Sequence, residues 1–152
     1  MEGCLTVYFV DRQKIEQTLK YIETQLQLFK ENTTNWESAY EKLALERIAH
    51  TVIESILDVG NAMIDGFIMR DPGSYEDIIN VLEDEKVITV EMAKGLKTVI
   101  HCRKTLVQDY IEVNHDTILT TLQKNEKNLN DFPVKVRDYL ENELGPVSAF
   151  QR

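Results

Sequence analysis

Proline and glycine are scarce, at three and six residues in a chain of 152. A sandwich or barrel of that length needs many more turn-forming residues, so the scarcity argues against an all-β architecture and for an all-helical one. Cysteine is scarcer still. Cys4 and Cys102 are too few for a disulfide framework, which is consistent with a reducing compartment. Every apolar run is interrupted by charge before the roughly 18 residues that a membrane span needs. Glu2 stands where a secretory leader carries basic residues, and Asp11 follows soon after, so a cytoplasmic location without a membrane partner is expected. Basic charge is in deficit as well: 17 Lys and Arg against 26 Asp and Glu leave −9. Such a chain lacks the broad basic surface of an indiscriminate nucleic-acid or anionic-membrane binder. Also missing are a P-loop, a G-x-G-x-x-G turn, a G-x-S-x-G elbow, paired zinc cysteines and any repeat of 20 to 50 residues.

What is present suits one helical domain over residues 1–152. Hydrophobic residues make up 43% of the chain and charged residues 28%, enough for a core under a well-solvated surface. Asp11 is placed to cap a first helix, with Val10 and Ile15 as a hydrophobic staple. Ile15, Leu19, Ile22, Leu26 and Phe29 then form one apolar stripe to about residue 30. Thr34 with Glu37 reads as a capping box for a second helix over 36–65, roughly 45 Å long and therefore the central pillar, with Gly66 as its left-handed stop. A turn at residues 70–73 leads to Ser74 and Asp77, which resemble a capping box for a short helix to about 82, and an acidic connector follows at 83–86. Thr89 caps a helix over 90–107. The next begins either at Asp109 with Glu112 or at Asn114 with a Val113 and Ile118 staple. It runs to Pro133, and a last amphipathic piece, 134–144, ends at Gly145-Pro146. The expectation is an antiparallel bundle of about five to six helices.

Two polar intrusions break the amphipathic pattern. On the 90–107 helix, Met92, Leu96, Val99, Leu106 and Val107 fall within roughly 60° of Arg103 at 100° per residue, so Arg103 points into the apolar stripe. A guanidinium keeps its charge and needs a carboxylate, a bound anion or a path to water. A snorkelling arginine, a phosphate clamp and an interface ion pair all satisfy that need. On the pillar, Arg47, His50, Glu54, Asp58, Asn61 and Asp65 recur along one face, opposite Leu45, Ile48, Val52, Ile56, Val59 and Met63. Glu54 or Asp58 is the candidate to orient Arg103. His50, Glu54 and Asp58 share a stripe that could face one ion, but no second ligand set accompanies them, so no metal is expected. Gln108, Asp109 and Tyr110 fall at a helix junction, where side chains converge on ligands, although an aromatic residue there is also a common packing element.

The run 103–110, Arg-Lys-Thr-Leu-Val-Gln-Asp-Tyr, resembles the R-x4-H-x-Y motif of the HepT family, helical toxins of the HEPN superfamily. The similarity extends over most of the chain: an early amphipathic helix, a long second helix with a polar stripe ending in Gly60-Asn61-Ala62-Met63-Ile64-Asp65, the acidic connector, and the motif before the last helices. The resemblance implies a HEPN-like bundle that pairs as a homodimer with motif residues of both copies in one cleft. It implies a metal-independent endoribonuclease without a cofactor, the toxin of a type II toxin–antitoxin pair. The implied antitoxin is MntA, a minimal nucleotidyltransferase that moves AMP from ATP to the motif tyrosine. By position, Arg103 would bind the scissile phosphate and Tyr110 would accept the modification. Gln108 replaces the family's histidine, and an amide has no proton to exchange near neutral pH. Asp109 is a possible base, though a carboxylate is a weak one. The site Arg103, Gln108 and Tyr110, supported by Glu54, Asp58 and Asp109, therefore suggests a catalytically weakened relative. The alternative is a non-catalytic HEPN-like homodimer that binds RNA or nucleotide, or that serves as the tyrosine-modification substrate of its partner. The acidity is also uneven. Residues 90–107 carry a net +3, so one basic helix ending at the motif can admit a phosphate locally.

Overall fold

The computed structural model describes residues 10–145, which form seven helices and no strand. Glu2, Cys4 and Pro146 lie outside the described residues. Helix α1 spans Arg12–Glu31, α2 Ala39–Gly66, α3 Tyr75–Asp84, α4 Val90–His101, α5 Arg103–Val107, α6 His115–Lys124 and α7 Glu126–Leu144. The all-helical expectation holds. Among the described residues no helix is long and apolar enough to cross a membrane.

Local chemistry sets the ends. Asp11 accepts a hydrogen bond from the Lys14 amide at 3.0 Å and starts α1, and its stripe of Ile15, Leu19, Ile22, Leu26 and Phe29 is buried as its spacing predicts. The capping box of α2 is Ser38 with Glu41 rather than Thr34 with Glu37. Thr34 and Asn32 bond to the Glu41 carboxylate instead. The hydroxyls of Thr34 and Ser38 and the Ser38 amide hold Glu41 down to about 2. Trp36 is not helical: it adopts φ 59°, is buried, and stacks on Phe29 with centroids 5.5 Å apart. Burying the indole outweighs the cost, about 1–2 kcal/mol, of a left-handed residue.

Gly66 is the last residue of α2, and the left-handed position falls on Ile68, φ 56°. The Phe67 amide reaches Met63 O and the Met69 amide reaches Ile64 O, each at 2.9 Å, so the helix closes in a Schellman-type cap around Ile68. Ser74 caps α3 by accepting from the Asp77 amide. Asp77 does not complete the box, because its carboxylate accepts from the Gly73 amide and from Arg70. Thr89 caps α4 and Asn114 caps α6, which decides between the two starts the sequence allows.

Two boundaries move. The expected 90–107 helix tightens at Cys102, whose amide reaches Val99 O three residues back, and so divides into α4 and α5. Pro133 ends nothing: the break falls at Asn125, and α7 runs straight through the proline. The missing Pro133 amide forfeits one backbone bond, but Leu129, Phe132, Pro133, Val136 and Leu140 are all buried along that face.

The pillar α2 buries thirteen of its 28 residues and packs against α1, α3, α5 and α6. Gly60 lets α3 come close, since a Cβ there would stand 2.5 Å from Ile78 Cγ2. Helix α7 packs on α1 and α4. Arg137 joins it to α1, donating to Glu16 at 2.8 Å and Glu23 at 2.7 Å, and the Arg12 guanidinium donates to Gly145 O at the end of α7. What remains of α2 is a polar stripe beside α5, and that is where the site lies.

Candidate functional site

Arg103 opens α5 and turns toward α2. Its Nε donates to Glu54 Oε1 at 2.7 Å, while its guanidinium carbon sits 4.3 Å from the centroid of Tyr75, the first residue of α3. Three helices thus fix one side chain: α5 supplies the charge, α2 the counter-charge and α3 an aromatic face for cation–π contact. Arg103 keeps 20% of its side-chain surface exposed and Glu54 keeps 32%. Among the described residues the two terminal amino groups of Arg103 have no acceptor, so the guanidinium keeps the donors that pair with a phosphate unused. Within the chain Arg103 forms an ion pair with Glu54, which meets its need for a carboxylate. Between Glu54 and Asp58, the structure chooses Glu54. Asp58 is exposed and takes no part.

His50 stands one turn before Glu54, with Nε2 3.4 Å from the same carboxylate oxygen that Arg103 holds. One further turn back, Glu46 Oε2 meets Nε2 of His115, the first residue of α6, at 2.6 Å. The face of α2 therefore carries Glu46, His50 and Glu54 in register, bound to α6 at one end and to α5 at the other. His50 was legible as part of the polar stripe, but not as a neighbour of Arg103. Tyr75 and the Glu46–His115 pair gave no signal in the sequence, because each depends on how separate helices meet.

The junction residues behave differently. Gln108 and Asp109 return their amides to Lys104 O at 2.8 and 3.1 Å, and the Glu112 amide bonds Asp109 O, so residues 108–112 make turns and no helix. Gln108 and Asp109 are exposed, as are Tyr110 at 63% and Ile111 at 87%. Tyr110 is thus not a packing residue within the chain. Among the described residues, no hydrogen bond or ion pair joins the side chains of Gln108, Asp109 or Tyr110 to Arg103 or Glu54. His101 pairs with Glu76 at 2.7 Å. An open groove of about 550 Å³ beside α4 and α6 includes Lys97, His101, Cys102 and Thr121 but neither Arg103 nor Glu54, and Lys97 there donates to Asn80 at 2.9 Å. Among the described residues no group of three or more His, Cys, Asp or Glu is gathered for a metal ion.

The fold is shared with solved toxin–antitoxin structures. It matches the tri-AMPylated Shewanella oneidensis HEPN toxin in complex with its MNT antitoxin at a TM-score of 0.68 and 18% identity, over 82% of this chain and 95% of that one. A toxin–antitoxin structure with AMP-PNP gives a TM-score of 0.70 at 17% identity, over 82% and 96%. At such identities the likeness is one of fold. The chain belongs to the family described as Ribonuclease HepT-like, whose sequence model matches residues 13–136. It is 54% identical over 145 residues to a Bacillus subtilis (strain 168) protein named "Putative RNase YutE", covering 95% of this chain and all of that one. The solved structure of cytosolic YutE from Bacillus subtilis superposes with a TM-score of 0.91.

Proposed function

We propose that the chain is a HepT-like toxin component that acts on RNA as a metal-independent endoribonuclease. One observation carries this reading: the arginine of the family motif is held by Glu54 and Tyr75 while its two terminal amino groups have no acceptor among the described residues. A phosphodiester accepts two hydrogen bonds from such groups, and the pair neutralises the charge that builds on phosphorus-bound oxygen during displacement. The acidic remainder of the chain limits coating by RNA. The names of the relatives support the same activity class. The test is cleavage of single-stranded RNA by the purified protein in excess chelator. Cleavage that Arg103→Ala abolishes is expected, and intact RNA at high enzyme concentration would refute the reading.

The partners follow from the same resemblance. The Tyr110 hydroxyl is exposed on a turn, accessible to an MntA-like minimal nucleotidyltransferase, and the solved HEPN toxin carrying AMP groups supports such an acceptor role. A second copy of the chain would cover the polar stripe of α2 together with exposed Tyr40 and Leu43, placing both Arg103 residues in one cleft. A cytoplasmic location fits both partners and the cytosolic YutE. Co-expression with the nucleotidyltransferase and ATP should add AMP mass to Tyr110 and none to Tyr110→Phe.

Gln108 favours a second reading, an RNA- or nucleotide-binding dimer without cleavage, because its amide transfers no proton. That form shows saturable RNA binding that Arg103→Ala abolishes, with no product at any enzyme concentration.

A further inference from the structure

The motif position that should exchange protons holds Gln108, yet the pillar brings an imidazole to the site from another direction. His50 Nε2 lies 3.4 Å from Glu54 Oε1, and Arg103 Nε lies 2.7 Å from that same oxygen, so one carboxylate sets the imidazole beside the guanidinium and leaves His50 Nδ1 and the terminal amino groups of Arg103 for a ligand. His50 keeps 37% of its side-chain surface exposed. Among the described residues its Nδ1 has no partner. His115 is engaged by Glu46, and His101 by Glu76, which leaves His50 as the one histidine beside Arg103.

We propose that His50 is the general base of this site, taking over from the pillar helix the proton transfer that position 108 cannot perform. The inference rests on the ribonuclease reading and deepens it. With Arg103 holding the non-bridging oxygens, the imidazole takes the proton of the ribose 2′-hydroxyl. The 2′-oxygen forms a bond to phosphorus as the bond from phosphorus to the 5′-oxygen breaks, and the departing 5′-oxygen takes a proton from water. The products are a 2′,3′-cyclic phosphate and a 5′-hydroxyl, and His50 returns its proton to solvent. Glu54 is a positioning residue with two tasks, holding the guanidinium and orienting the imidazole. The charged groups around His50 are Glu46, Arg47 and Glu54 on its own stripe of α2, Arg103 from α5 and the Glu46-bound His115 from α6, while Tyr75 of α3 covers a face of Arg103. Helix α1 packs on α2 through its buried apolar stripe.

The experiment measures single-turnover cleavage of single-stranded RNA across pH 5 to 9 for the wild type, His50→Gln and Arg103→Ala, with RNA affinity and thermal melting read on the same samples. The wild-type rate should rise with pH and then level off. His50→Gln should lower the plateau about 10²- to 10⁴-fold and flatten that rise, with RNA affinity and folding retained. Arg103→Ala should lose affinity as well. If His50→Gln cleaves at the wild-type rate with the same pH profile while Arg103→Ala does not, His50 is not the base and the ribonuclease reading stands. If the wild type itself leaves RNA intact, both fall. Should His50→Gln melt early, His50→Asn read by the same pH profile replaces it, with the same two outcomes.

Discussion

Removing Glu54 tests the geometry of the site without reference to RNA. Glu54→Ala leaves Arg103 with a charge it cannot give up, 20% exposed and bound only by the face of Tyr75. Exposed ion pairs contribute about 0–1 kcal/mol, whereas breaking a fully buried pair costs about 3–5 kcal/mol. This pair, at 2.7 Å with its partners 20% and 32% exposed, falls between, at about 1–2 kcal/mol. An unfolding entropy of about 2.1 cal/mol/K per residue makes that a fall in Tm of about 3–6 °C. The reverse change, Arg103→Ala, should cost less, because a carboxylate at a helix edge hydrates more easily than a guanidinium pinned beneath an aromatic ring. Calorimetry at one fixed pH on both single variants and the double variant isolates the pair. A coupling of about 1–2 kcal/mol is expected. A coupling near zero, or an Arg103→Ala variant less stable than Glu54→Ala, would refute the reasoning.

Three further outcomes follow from contacts already described. Gly60→Ala should lower stability by about 1 kcal/mol despite alanine's better helix propensity, because its Cβ meets Ile78. Chemical denaturation should show the same change neutral or stabilising in an Ile78→Ala background. Arg137 holds the Glu23 carboxyl below its ordinary 4.5, so the contribution of their pair is complete above that value and is lost as pH falls through the lowered one. Arg137→Ala should therefore cost about 1 kcal/mol at pH 7, with urea midpoints converging on wild type well below pH 4.5. Gln108→His adds a second proton-transfer group on the motif turn and should raise the RNA cleavage rate about 10²-fold, read as product per turnover, with no change in RNA affinity.

The helices were legible wherever one face of the sequence decides them. Asp11, Thr89 and Asn114 cap as their side chains allow, and the stripe of α1 is buried residue for residue. Misreadings arose where two local solutions compete and a distant contact chooses. Thr34 with Glu37 and Ser38 with Glu41 have the same spacing, and the stacking of Trp36 on Phe29 selects the second. Pro133 reads as a stop, but tertiary burial along α7 carries the helix through it. The site was half legible for the same reason. A charge on an apolar stripe marks Arg103, and spacing limits its partner to Glu54 or Asp58. The approach of His50 and Tyr75 depends on packing between helices that no single stripe records.

The claim that Arg103 offers its terminal amino groups to a phosphodiester is tested most directly by one equilibrium measurement: the Kd of a fluorescent single-stranded RNA for the wild type and for Arg103→Ala, at one salt concentration and with both proteins shown to be folded. Loss of a charge-assisted hydrogen-bonding pair corresponds to about 1.5–3 kcal/mol, so the variant should bind about 10- to 100-fold more weakly. Equal affinity of the two proteins would contradict the account.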